Sequence, residues 1–270
     1  MSEGAEDDAG QAPAATEAQA PMHIHRPKAP HGLRAFLTEI GVIVLGIVIA
    51  LAGEQAVEAL HWRRVSQETM QDLDKEVRDN LLYAADRRSV KVCLEARLAD
   101  LRDKLIASKG VWRADPVMMH LPLKPGPHEV VLGHVMPIVH GLPFFEYSHQ
   151  AWDAARADGV LGHLPREKLA FYSSFYNIIE RLTGWQDAES ASAARLAPLA
   201  YDTRLEGRER DAILAELATI DSNAFYLDQF SRMALEEARA QGLQPDPAEL
   251  ASFLKDGREV MGPCLQDYRS

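Results

Sequence analysis

Three observations predict an all-α protein carried on a single membrane helix. From Ile40 to Gly53, fourteen residues pass without a charged or strongly polar side chain, and nine of them are Ile, Val or Leu. Beyond that run, apolar residues recur at spacings of three and four along most of the chain, the period of a helix with one buried face. Prolines interrupt this pattern at length only between residues 111 and 146. The expected organisation is a disordered tail over residues 1–32, a transmembrane helix over 33–60 and a stem helix over 61–110. A Pro- and His-rich excursion over 111–147 follows, and then a helical domain over 148–270 that packs on the stem.

The tail is Ala, Gly, Pro, Glu and Asp with almost no large apolar side chain, a composition that cannot bury enough surface to offset ordering. It leaves no room for a signalling module. The span comes next. At about −0.3 to −0.6 kcal/mol per residue, its Ile, Val and Leu supply about −3 to −5 kcal/mol of insertion energy. Glu39 and Glu54 sit at its ends, where a carboxylate reaches the headgroup region. Two other readings compete. A run of this length also suits a buried core helix, although it has no polar face. Ala50-Leu51-Ala52 has the small-x-small form of a signal cleavage site, although a long acidic tail precedes it.

Arg26, Lys28 and Arg34 precede the span, and Arg63 and Arg64 follow it beside Trp62, a candidate interfacial anchor. This excess places the tail in the cytoplasm and the large domain outside. Within the span, Glu39, Gly46 and Gly53 recur every seven residues, and Gly46 and Ala50 form a small-xxx-small pair that allows close approach of a second helix. Chance gives the same spacing easily, since glycine is common in such helices. The seam nevertheless motivates a homodimer.

The stem is predicted as one helix to Lys109, with stripes at Leu73, Val77, Leu81 and Ala84 and at Leu94, Leu98, Leu101 and Leu105. A bend is expected near Ala84–Ser89, where the stripe loses register, and Gly110 is the expected stop. In the excursion, Val130–Leu132 and Val135–Val139 are a candidate ribbon around Gly133. Helices then resume. One is predicted from Ser148 to Asp158 with Trp152 inward and Gly159 as its stop, and one from Pro165 through Leu169, Tyr172, Phe175, Ile179 and Leu182. A third is expected near Ala188–Ala200, and a long one from Arg208 to Ala240 carrying Leu214, Leu217, Ile220, Leu227, Phe230 and Met233. Asp246-Pro247-Ala248-Glu249 announces the last, as N-cap, N1 proline and capping-box Glu, and Gly257 is taken as its end.

The chain has two cysteines, Cys93 and Cys264, and no CxxC. In an oxidising compartment such a pair reads as a disulfide, which requires the two Cα atoms to lie within about 7 Å. Two unrelated thiols are the alternative. His120, His128, His134 and His140, with His149 and His163 after them, form a candidate ligand site for a soft or borderline metal, although no pair has helical ligand spacing. A net charge of −11 argues against a nucleic-acid surface. No nucleophile elbow, phosphate loop or dinucleotide fingerprint occurs, and Ser173-Ser174 reads as helix filler. No cofactor and no catalytic residue is expected.

The segment Phe36-Leu37-Thr38-Glu39-Ile40-Gly41-Val42-Ile43-Val44-Leu45-Gly46, continuing through Ile49-Ala50-Leu51 into Glu54, resembles the start of a family of bacterial single-pass membrane proteins of unknown activity. Ala151-Trp152-Asp153 through Gly159, and Tyr172 to Tyr176, are similar to the helical domain of that family. The resemblance implies an architecture and no activity, so no functional residues carry over.

The function expected is a non-catalytic, membrane-anchored helical binding or assembly module. It would sit in a bacterial inner membrane with a periplasmic domain, its partners being the lipid bilayer and a second copy of itself. Two alternatives stay open: an extracytoplasmic sensor of a small ligand or metal at the histidine-rich excursion, and an enzyme of unrecognised type.

Overall fold

The computed structural model describes residues 32–114, 117–118, 137–138, 145–261 and 263–268. It is mostly helical, with α1 (Leu33–Ser89), α2 (Lys91–Ala107), α3 (Gln150–Ala157), α4 (Arg166–Ala194), α5 (Arg208–Ala240) and α6 (Pro247–Met261). Two two-residue ribbons complete it: β1 (Val111–Trp112) pairs antiparallel with β4 (Thr203–Arg204), and β2 (Val117–Met118) with β3 (Pro137–Ile138). The candidate ribbon around Gly133 lies outside the described residues, apart from Pro137 and Ile138 in β3.

Two compact units divide between Ala56 and Val57. In the first, described residues 32–56 are all exposed, including Ile43, Leu45, Ile49 and Leu51. Among the described residues, α1 is the one helix long and apolar enough to cross a membrane.

The second unit has a conventional helical core. On α1, Leu73, Val77, Leu81 and Ala84 are fully buried at the predicted spacing. They join one cluster with Phe171, Tyr172, Phe175, Ile179 and Leu182 of α4, and with Leu227, Ala234 and Leu235 of α5. Truncating a Leu here to Ala should cost about 2–5 kcal/mol. A second cluster joins Leu98, Leu101 and Leu105 of α2 to Ile213, Leu217 and Ile220 of α5. Trp112 completes it from β1, donating from Nε1 to the Leu199 carbonyl at 2.8 Å. That bond satisfies the polar end of a ring buried for its area.

The stem is not a single helix. It breaks at Val90, next to the stretch where the stripe loses register. Ladder bonds survive on both sides, Val90 N–H to the Asp86 carbonyl and Leu94 N–H to the Val90 carbonyl, each at 3.1 Å. The Ser89 hydroxyl bonds the Ala85 carbonyl at 2.9 Å, a back-bond that competes with the backbone ladder. The chain leaves α2 through Lys109 and Gly110, both at positive φ. A Cβ at Gly110 would stand 3.2 Å from Glu206 Cγ, so both conformation and space favour the glycine.

Three further expectations are corrected. The helix expected near Ala188–Ala200 is instead the end of α4, which runs to Ala194 before a 3₁₀ turn over Ala197–Ala200. Met233 is exposed and Leu214 half-buried, because Ile213, Ser231 and Ala234 occupy the inner face of α5. α6 does not stop at Gly257 but continues to Met261. A Cβ on Gly257 would meet Leu265 Cδ1 at 2.9 Å, so this glycine admits the returning C-terminal tail and does not cap the helix.

That tail is fixed by a Cys93–Cys264 disulfide, with Cα atoms 5.2 Å apart. Gln266 N–H donates to the Ser89 carbonyl at 3.1 Å, and Leu265 and Tyr268 are buried. The bond closes a loop of 171 residues. Chain entropy gives such a loop roughly 5 kcal/mol, against a more usual about 2–4.

Candidate functional site

Polar residues on α1 fix the segment that follows the excursion. Glu76 is buried and accepts four bonds. Its Oε1 takes Ser148 Oγ at 2.5 Å and Ala151 N–H at 3.1 Å; its Oε2 takes Tyr176 Oη at 2.5 Å and Trp152 N–H at 3.3 Å. Two of these donors are unpaired amides of the first turn of α3, so the carboxylate caps a helix remote in sequence. Burial raises the Glu76 pKa, but the hydrogen bonds from Ser148, Tyr176, Ala151 and Trp152 together outweigh it and hold the pKa below the ordinary value. Asn80 reinforces the join, exchanging bonds with the Ser148 backbone at 2.8 and 2.9 Å. Trp152 stacks on Tyr176 with centroids 5.1 Å apart.

A second buried cluster lies about three turns further along α1. Arg87 Nη2 meets Glu189 Oε1 at 2.5 Å with both side chains almost fully buried, 3% and 1% exposed. Among the described residues, Arg87 Nη1, Glu189 Oε2 and Asn223 Nδ2 have no hydrogen-bond partner. Burial raises the Glu189 pKa, with Arg87 opposing the shift. Neighbouring Asp86, also buried, is pushed up to about 6 by desolvation, with Arg87 again opposing.

Among the described residues, one surface groove lies between α1 and α6, of about 400 Å³. Asp79, Leu82 and Tyr83 line it from α1; Glu249, Ser252, Phe253 and Asp256 line it from α6. The α6 residues fall at i, i+3, i+4 and i+7, one helical face. Asp246 starts that helix as predicted, its Oδ1 accepting from Ala248 and Glu249 N–H at 2.8 and 3.0 Å. The Glu249 side chain lines the groove. Tyr83 and Phe253, both half-buried, meet edge to face at 6.2 Å, and Phe145 stacks behind Tyr83 at 5.2 Å. Lys75 pairs with Asp79 at 3.1 Å. Among the described residues no cation pairs with Glu249 or Asp256.

The residues singled out from sequence are scattered. Glu39, Gly46, Ala50 and Gly53 all lie on the exposed apolar part of α1. A Cβ at Gly46 or Gly53 would meet nothing within 4 Å. His120, His128, His134 and His140 lie outside the described residues. His163 stacks on Trp62 at 3.8 Å and 6°, so the tryptophan expected at the membrane interface packs on the domain. His149 precedes α3 and lies 5.8 Å from the Tyr176 ring. Among the described residues no group of three or more His, Cys, Asp or Glu is arranged to hold a metal ion. The groove residues carried one signal in the sequence, an acid one turn before each aromatic at Asp79–Tyr83 and Glu249–Phe253. No protein-family profile, curated protein or solved structure matches the chain.

Proposed function

We propose that this chain is a membrane-anchored helical binding module. The observation that carries the proposal is the contrast between the two units. Residues 33–56 are wholly exposed in helical form and carry the apolar run 40–53, while the unit from Val57 onward buries its own apolar faces in continuous clusters. Exposed apolar surface on that scale is unstable in water and suits hydrocarbon. The disulfide and the Lys/Arg excess before the span support a periplasmic domain. The small-xxx-small spacing of Gly46 and Ala50 supports a dimer through the span.

Reporter fusions at the C-terminus, with single-cysteine crosslinking at Gly46 and Gly53 in membranes, test the proposal. The expected result is reporter activity only outside the cytoplasm and a crosslinked dimer at one or both positions. A cytoplasmic reporter overturns the topology, and no dimer at either position removes the seam.

A further inference from the structure

We propose that the Cys93–Cys264 disulfide is a redox catch, whose reduction releases α6 and the C-terminal tail as one strap while the rest of the domain stays folded. The strap is the part of the domain that burial holds least. α4 buries ten side chains and α5 eleven. Of the side chains described on α6, residues 247–258, Leu250 alone is buried, with Phe253 and Leu254 half-buried. Among the described residues, the side-chain hydrogen bonds at α6 are those of its own Asp246 cap, and no ion pair joins it to another element. A segment with few buried contacts opens locally, at less cost than global unfolding.

The tail and α6 are bound to move together. Leu265 fills the space over Gly257 and packs with Leu254 in the small cluster that includes Cys93. Gly242, at φ +76°, ends α5 and supplies the turn on which such a strap would swing. The chain between Cys93 and that turn is held by its own clusters, so breaking the cross-link frees only the end beyond it. One group opposes closure. Asp86 is 6% exposed, and its Oδ1 lies 3.9 Å from where a Gly257 Cβ would stand. Arg87 beside it is engaged by Glu189, and no hydrogen bond answers the Asp86 carboxylate among the described residues. That carboxylate gains water when the strap lifts. Lifting also uncovers Tyr83 and Phe145, each 6.2 Å from the Phe253 ring.

Cys264 is half-buried and Cys93 buried, so an incoming thiolate reaches the Cys264 sulfur first. A thiolate of an external dithiol bonds to Cys264 Sγ as the bond to Cys93 breaks, and Cys93 leaves as a thiolate that takes up a proton. The second thiol of the reductant then displaces Cys264, which is protonated in turn. The dithiol departs as a disulfide, having passed two electrons to the protein.

Hydrogen exchange of the full chain in detergent at pH 8, with and without dithiothreitol, tests the catch. Reduction is expected to speed exchange over residues 247–258 at least about tenfold and over α4 and α5 by less than about twofold. Reoxidation should restore the slow rate. Cys264→Ser should show the same pattern without reductant, and Asp86→Asn should cut the increase severalfold. Acceleration of α4 and α5 along with α6, or a Cys264→Ser chain that does not fold, identifies a plain structural cross-link and overturns the inference. Unchanged exchange in α6, once alkylation shows both thiols free, overturns it as well. An increase undiminished in Asp86→Asn removes Asp86 as the opposing group.

Discussion

Glu76 and Glu189 are both buried carboxylates in the same domain, and they are held in opposite ways. Glu76 has no basic partner among its four hydrogen bonds, yet its pKa lies below the ordinary value. Glu189 touches a guanidinium, yet its pKa is raised. Depth of burial, greater for Glu189, and the count of donors, greater for Glu76, together account for the difference. Every lone-pair direction that Glu76 presents is answered, whereas among the described residues Glu189 has one oxygen bonded and one without a partner. A nearby positive charge does not replace missing hydrogen bonds once solvent is gone. The two sites also join different things. Glu76 ties α1 to the start of α3 and to α4, and Arg87–Glu189 ties α1 to α4 alone.

The largest effect should come from Glu76→Ala, which strands two backbone amides and two hydroxyls around a cavity. A loss of about 3–5 kcal/mol is expected in urea unfolding. Glu76→Gln should recover part of it, because an amide oxygen still accepts. If Glu76→Ala costs under about 1 kcal/mol, the carboxylate is not the organising group.

Breaking the second pair from one side should also cost about 3–5 kcal/mol, since Arg87→Ala leaves a buried unpaired carboxylate. Replacing both partners is expected to behave differently. Arg87→Met/Glu189→Leu should be neutral or stabilising, because it removes two orphaned atoms together with the charges. A double-mutant cycle checks this, and additive losses would contradict it.

The smallest effect is a pH dependence at Asp86. Its folded pKa is raised to about 6. The fold therefore favours the protonated form, and this contribution is fully present below the ordinary carboxyl range. It is lost as pH rises through about 6, with a ceiling of about 3 kcal/mol. Asp86→Asn should flatten the stability profile between about pH 4 and 6.5 and raise the melting temperature at pH 8. Thermal melts across that range read the change directly, and a profile unchanged in shape would exclude Asp86 as its source.

Much of the fold was legible because it depends on local rules. The Arg208–Ala240 helix, the Gly159 stop, the Asp246 cap and the α1 stripe follow from period and capping chemistry alone. The cysteine pairing followed from there being only two. What failed to show in sequence depends on distant partners. Gly257 looks like a helix stop until Leu265 is seen to need its space. Trp112 looks like part of an irregular stretch until the Leu199 carbonyl receives its indole N–H. Glu76 reads as one more solvated helix acid, because its donors lie 72 to 100 residues away. The groove required both helices in place before two acid–aromatic pairs became one surface.

The claim on which the functional account depends is that residues 33–56 form a retained membrane helix. Alkaline carbonate extraction of membranes, followed by intact mass of the chain in the pellet, tests it most directly. The account predicts a chain that stays with the membrane and keeps the residues before Gly53. A soluble chain beginning just after Ala52 would contradict it, since that product is a secreted domain released from a cleaved signal.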